Sequence, residues 1–191
     1  MFGHVDRPVH WARHMLRLRD LQKRTGGFTE LVPLPFVHME APIYLKGRAR
    51  MGPTYREALL MHAVARLALH PHITNIQTSW VKMGRDGIKA ALNAGVNDMG
   101  GTLMNETITR AAGSEHGQEL PPHAMDALIR DLDRSPVQRT TLYGTPPERQ
   151  VQASFQAAPL ADLINNPARK YERASDRQPL IRPGLEASGA D

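Results

Sequence analysis

The chain contains no cysteine. That excludes disulfides, thiolate metal sites, iron–sulfur ligation by this chain and a cysteine nucleophile. No run approaches the roughly 20 apolar residues of a membrane span, and the N-terminus lacks a charged region followed by an apolar core, so a cytoplasmic protein without a membrane partner is expected. The formal charge of +5 is modest. Lys and Arg are spread through the chain rather than clustered with interleaved aromatics, which argues against nucleic-acid binding. No internal repeat is visible. At 191 residues and 41% apolar content, one domain with a core plus a tail is expected.

What the chain does have is concentrated between Gly26 and Gly47, GGFTELVPLPFVHMEAPIYLKG. Phe28, Leu31, Val32, Leu34, Phe36 and Val37 form an apolar run of strand length, the pattern of a strand covered on both faces in a parallel sheet. Pro33 and Pro35 cannot donate to a ladder and belong at its C-terminal end. Beyond lie His38, Glu40, Tyr44, Lys46, Arg48 and Arg50, on the side where parallel α/β folds carry their chemistry.

Residues 1–5 read as the end of a strand. Helical spacing of Val9, Ala12, Met15, Leu16, Leu18 and Leu21 predicts a helix from Pro8 to Thr25, stopped at Gly26-Gly27. Thr54 and Glu57 form a capping box for a second helix that ends before Pro71. Ile73–Met83 predicts a strand over 74–82, followed after Gly84 by a short helix through Leu92, and residues 96–99 predict another strand closed by Gly100-Gly101. Helices are expected over Leu103–Ala112 and 121–134, with an extended piece at Gln138–Tyr143. The expected class is α/β: four parallel strands at 1–5, 28–34, 74–82 and 96–99, each followed by an outer helix, over residues 1–144. Residues 145–191, strewn with proline, read as a mostly disordered tail with one helical turn at Leu160–Ile164.

Strand ends nominate His4 and Asp6; Glu30; Gln77, Ser79 and Lys82; and Asn97 and Asp98, with His38 and Glu40 from the loop after the second strand. For each residue a structural role competes: Asp6 as a helix cap, Gln77 and Ser79 as polar barrel filling, Asp98 as an acceptor near Gly100-Gly101. His10 and His14 have the spacing of a metal pair but no acidic partner, and a solvated or packing role is expected, with no metal site. Lys46, Arg48 and Arg50 suit either an anion or a solvated loop.

The stretches FGHVD, GGFTELVPLPFVHMEAPIYLKG, NIQTSWVKMG, GVNDMGGTLMNETITRAAG and QRTTLYG together resemble the C-terminal half of the second FO synthase component, which is also the C-terminal part of fused FO synthases. The resemblance implies strands five to eight of a (βα)8 radical S-adenosylmethionine barrel, beginning inside strand five. It implies a 4Fe-4S cluster and S-adenosylmethionine as cofactors, and L-tyrosine and 5-amino-6-(D-ribitylamino)uracil as substrates on the way to the deazaflavin of coenzyme F-420. In that family the cluster generates a deoxyadenosyl radical, tyrosine's Cα–Cβ bond breaks, and the hydroxybenzyl fragment adds to the uracil ring. His4, Asp6, Glu30, His38, Gln77, Ser79, Lys82, Asn97 and Asp98 are the expected substrate or S-adenosylmethionine contacts.

The family's CxxxCxxC cluster motif is absent, since this chain has no cysteine. A fragment, a mis-started gene or a chain that pairs with a separate N-terminal half, in cis or trans, is therefore expected, inactive by itself. Two further readings stand beside it: a noncatalytic binding or assembly half-barrel, and a fragment of a menaquinone-pathway radical enzyme.

Overall fold

The computed structural model describes residues 1–161. Seven helices occur there: α1 (Pro8–Thr25), α2 (Pro42–Leu45), α3 (Tyr55–Leu69), α4 (Trp80–Asn93), α5 (Ile108–Ala111), α6 (Pro122–Arg130) and α7 (Glu148–Gln156). Three parallel bridges, Phe2 with Pro35, Leu31 with Ile76 and Gln77 with Asp98, order four extended segments as they occur in the sequence. Short right-handed crossovers place sequence neighbours side by side in this way.

The segments are shorter than expected, and among the described residues none is a regular strand. Each junction rests on two backbone hydrogen bonds: Phe2 N to Leu34 O and Phe36 N to Phe2 O, both 3.0 Å; Leu31 N to Asn75 O and Gln77 N to Leu31 O, both 2.9 Å; Asn97 N to Ile76 O at 3.1 Å and Thr78 N to Asp98 O at 2.9 Å. Pro33 and Pro35 remove two donors on the edge that Leu31 turns to the third segment, so that pairing cannot extend into a ladder.

The third segment ends at Ser79 rather than residue 82, because the chain turns there into α4. Trp80 and Val81 are buried, and an amphipathic helix docks them on the core more completely than a strand presenting alternate faces. The expected break at Gly84 exists inside α4, where Gly84 takes φ 65° and ψ 178°, a conformation nearly restricted to glycine. A Cβ there would also meet the His116 ring at 2.8 Å.

Other boundaries move for local reasons. The helix expected over Leu103–Ala112 shrinks to α5, since Leu103 (φ 51°) and Asn105 (φ 57°) are left-handed and interrupt the right-handed path. The helix expected over 121–134 stops at Arg130, with Asp133 left-handed just beyond. Gln138–Tyr143 forms no paired strand and closes in a turn, Tyr143 N donating to Thr140 O at 3.0 Å. In the expected disordered tail, α7 packs on α6. Of the turn expected at Leu160–Ile164, Leu160 and Ala161 are not helical and the remainder lies outside the described residues.

The core lies between the sheet and the helices, with α1 against α3, α3 against α4 and α4 against α6. Leu69, Ile73, Ile76, Ile88 and Val96 are its largest fully buried aliphatic side chains, each contributing about 1.5–3 kcal/mol. The capping box of α3 forms as its spacing predicts, Thr54 N donating to Glu57 Oε2 at 2.7 Å and Glu57 N to Thr54 Oγ1 at 3.2 Å. Its buried face, Ala58, Met61, His62, Ala65 and Leu69, includes one titratable group. His62 is fully buried, with Nδ1 2.8 Å from Ala58 O and Nε2 unpartnered.

Burial lowers the His62 pKa below its ordinary value, partly offset by the bond to Ala58. The unfolded chain therefore takes up this proton more readily than the folded one as the pH falls through about 6.5. Stability from this group is complete above that pH and declines below it. Comparing chemical denaturation at about pH 7.5 and 5.5, the wild type should lose up to about 1.4 kcal/mol per pH unit more than His62→Gln. Equal losses in the two proteins would refute this account.

Candidate functional site

Glu30 immediately precedes Leu31, whose side chain packs against the helical core, and Gln77 follows the fully buried Ile76. Alternation along an extended chain turns Glu30 and Gln77 to the sheet face away from the helices. There Gln77 Nε2 donates to Glu30 Oε2 at 3.0 Å. Asp98, buried on the fourth segment, accepts from Gly100 N through Oδ1 at 2.7 Å.

Two residues beyond α6 complete the cluster. Arg139 donates from Nε to Asp98 Oδ2 and from Nη2 to Glu30 Oε2, the latter at 3.2 Å. The Tyr143 hydroxyl lies 2.6 Å from both Glu30 Oε2 and Asp98 Oδ2. Its one proton serves the two acceptors in turn. The guanidinium also lies over the Tyr143 ring, 4.2 Å from its centroid. Burial opposes the charge on Arg139, but the bond to Asp98 and the surrounding negative charge outweigh it and raise its pKa. For Tyr143, burial and then the two carboxylates push the phenol far above its ordinary value. Near neutral pH the cluster is thus a fixed cation and a neutral phenol between two acids.

The structure brings Glu30, Gln77 and Asp98 together and separates the other nominated residues. Asp6 accepts from Gly3 N at 2.9 and 3.0 Å, from His4 N at 3.1 Å and from Trp11 Nε1. Burial opposes its charge, and the backbone donors led by Gly3 override that and lower its pKa. It therefore fixes the turn before α1 rather than capping the helix, whose N-cap is Arg7. His4 Nδ1 stands 3.0 Å from Asp6 Oδ1 without hydrogen-bond alignment, and its ring lies against Phe36. Asn97 turns elsewhere, accepting from Ile76 N at 2.9 Å and Arg66 Nη2 at 2.6 Å. Ser79 is the N-cap of α4, without a side-chain cap bond.

His38 and Lys82 line a separate cleft of about 720 Å³, with Glu40, Ser114, Glu115 and His116. Lys82 lies in the first turn of α4 and not at a strand end. Of the loop cations, Arg50 is committed to the fold: Nε donates to Gly3 O at 2.9 Å, Nη1 pairs with Glu57 at 3.1 Å, and the guanidinium lies over Trp11. His10 Nδ1 accepts from Arg7 N at 3.1 Å. No helix among the described residues is long and apolar enough to cross a membrane.

A parallel α/β unit, helices on one face and an acid–arginine–tyrosine cluster on the other, is the class this geometry defines. The chain belongs to the CofH/MqnC C-terminal region family, whose model matches residues 25–151. It is 55% identical over 143 residues to an FO synthase of Mycobacterium leprae, covering 75% of this chain and 17% of that protein. The FO synthase of Streptomyces coelicolor is 53% identical over 154 residues, covering 81% of this chain and 18% of the relative. The 5-amino-6-(D-ribitylamino)uracil–L-tyrosine 4-hydroxyphenyl transferase of Methanopyrus kandleri is 54% identical over 143 residues, covering 75% and 39%. The matches therefore span less than half of each of these relatives.

Arg139 and Tyr143 escaped the reading of strand ends because they lie in a segment without periodicity. The motif QRTTLYG contains both, and it was the one available signal. Arg139→Ala should leave Glu30 and Asp98 without their shared cation and lower stability by about 1–3 kcal/mol, moderated by the partial exposure of the pair. Adding Asp98→Asn should recover part of that loss in chemical denaturation. A double variant as unstable as the sum of the single changes would deny the coupling.

Proposed function

We propose that the chain forms the substrate-side part, strands five to eight, of a (βα)8 transferase that joins the hydroxybenzyl fragment of L-tyrosine to 5-amino-6-(D-ribitylamino)uracil. The observation that carries this reading is the convergence of Glu30, Gln77 and Asp98, from three successive parallel segments, on the face opposite the helices. A barrel wall requires parallel segments in chain order with helices outside and inward side chains facing a common interior. Identity of 53–55% with FO synthases supports the same reaction, as does the name of the Methanopyrus relative.

The family's radical chemistry calls for S-adenosylmethionine and a 4Fe-4S cluster. This chain's residues do not fit the cluster: there is no cysteine, and among the described residues no three His, Asp or Glu side chains gather as metal ligands. The thiolates then come from another polypeptide segment, in cis or in trans, and the present residues hold and orient substrate.

The test is anaerobic turnover of tyrosine and ribitylaminouracil. The chain reconstituted with iron and sulfide should release no deoxyadenosine and form no product. Co-production with a CxxxCxxC-bearing N-terminal half should restore both, and Glu30→Gln or Asp98→Asn in that complex should lower turnover by roughly tenfold or more. Product formation by the chain alone would overturn the division of labour. Failure of the complex, with both halves folded and the cluster assembled, would favour a noncatalytic binding module.

A further inference from the structure

The cleft lined by His38, Glu40, Lys82, Ser114, Glu115 and His116 touches the extended segments only at Phe36, the last paired residue of the second, and otherwise draws on residues that follow them. His38 comes shortly after Phe36, Lys82 three residues after Ser79, and Ser114–His116 lie on the chain after Asp98. Glu30, Gln77 and Asp98, by contrast, belong to the segments themselves. The cleft thus occupies the carboxyl side of the sheet, where ligands of parallel α/β proteins bind.

Its walls are tied together. Glu40 N donates to Ala112 O at 3.1 Å, and Ser114 Oγ donates to Val81 O at 2.7 Å, anchoring the later loop to the first turn of α4. The His116 ring covers Gly84, and the His38 ring meets Tyr44 edge-on, 4.7 Å between centroids. Into this framework projects Lys82, half-buried and, among the described residues, in no ion pair. Burial lowers its pKa below the ordinary lysine value, with the charge of Glu106 working the other way. A partly dehydrated ammonium without a carboxylate partner gains from any anion that replaces its lost water. The exposed carboxylates of Glu40 and Glu115 stand in the same cleft, so it offers one site for an anion and a rim for a cation.

We propose that this cleft binds the headgroup of an α-amino acid, Lys82 holding its carboxylate and the Glu40–Glu115 rim its ammonium. The assignment rests on the transferase reading above and names the residues that would grip one of its reactants. Both L-tyrosine and S-adenosylmethionine carry this headgroup, and the cleft's chemistry suits either.

The test titrates the full 191-residue chain calorimetrically with L-tyrosine, tyramine, S-adenosylmethionine and decarboxylated S-adenosylmethionine. The wild type should bind one of the two amino acids at least about tenfold more tightly than its carboxylate-free analogue, the worth of a charge-assisted contact. Lys82→Met should abolish that preference without changing the analogue's affinity, and Lys82→Arg should keep most of it. Lys82→Gln replaces the methionine variant if circular dichroism shows that variant unfolded. Preference for tyrosine identifies tyrosine as the occupant, and preference for S-adenosylmethionine identifies the cosubstrate. Equal binding of both members of each pair, a preference that survives loss of the lysine, or no binding at all overturns the proposal. In the reconstituted complex, turnover with an unchanged KM for both amino acids in the methionine variant refutes the headgroup site alone. Lys82-dependent binding without turnover refutes the transferase reading alone.

Discussion

The segment Asn75–Thr78 is hydrogen-bonded on both sides, to Leu31 on one flank and to Asn97 and Asp98 on the other. Four of the six bonds that define the sheet involve it. Its own side chains divide the molecule: Ile76 is fully buried toward the helices, and Gln77 turns to the opposite face and joins Glu30. Because side chains alternate along an extended chain, a shift of one residue would exchange the core and polar faces. The register of this segment therefore governs both the packing of α3 and α4 and the placing of the acids.

Two acids on one wall need compensation, and it comes from far along the chain. Arg139 and Tyr143 lie more than a hundred residues after Glu30, yet both bond the same carboxylate oxygen. The union holds the segment after α6 against the sheet and keeps the acids from facing one another unscreened.

The kink in α4 links the fold to the second cleft. Gly84 takes a backbone conformation that side chains resist, and the His116 ring occupies the space a Cβ would need. With Ser114 on Val81 O, this contact shapes the wall that Lys82 enters. The carboxyl side of the sheet thereby acquires a partly dehydrated cation in the first turn of α4, and the other face a pair of acids bridged by one guanidinium.

Much of this was legible in the residues themselves. The helical period of α1, the Thr54–Glu57 capping box and the order of parallel segments follow from local propensity and short-range geometry, which depend on neighbours in the chain. The absence of thiol chemistry follows from composition alone. Tertiary packing decided the rest. Ser79 ends its segment because Trp80 and Val81 bury better on a helix, and α7 forms against α6 where the sequence has no clear pattern. Of the nominated site residues, Asp6 and Asn97 satisfy backbone groups and Arg66, while Glu30 and Asp98 meet partners from a segment without periodicity and Gln77 joins them through Glu30. Type and spacing nominate a polar residue, but its partner depends on which distant groups the folded chain brings within about 3 Å, a relation absent from local sequence.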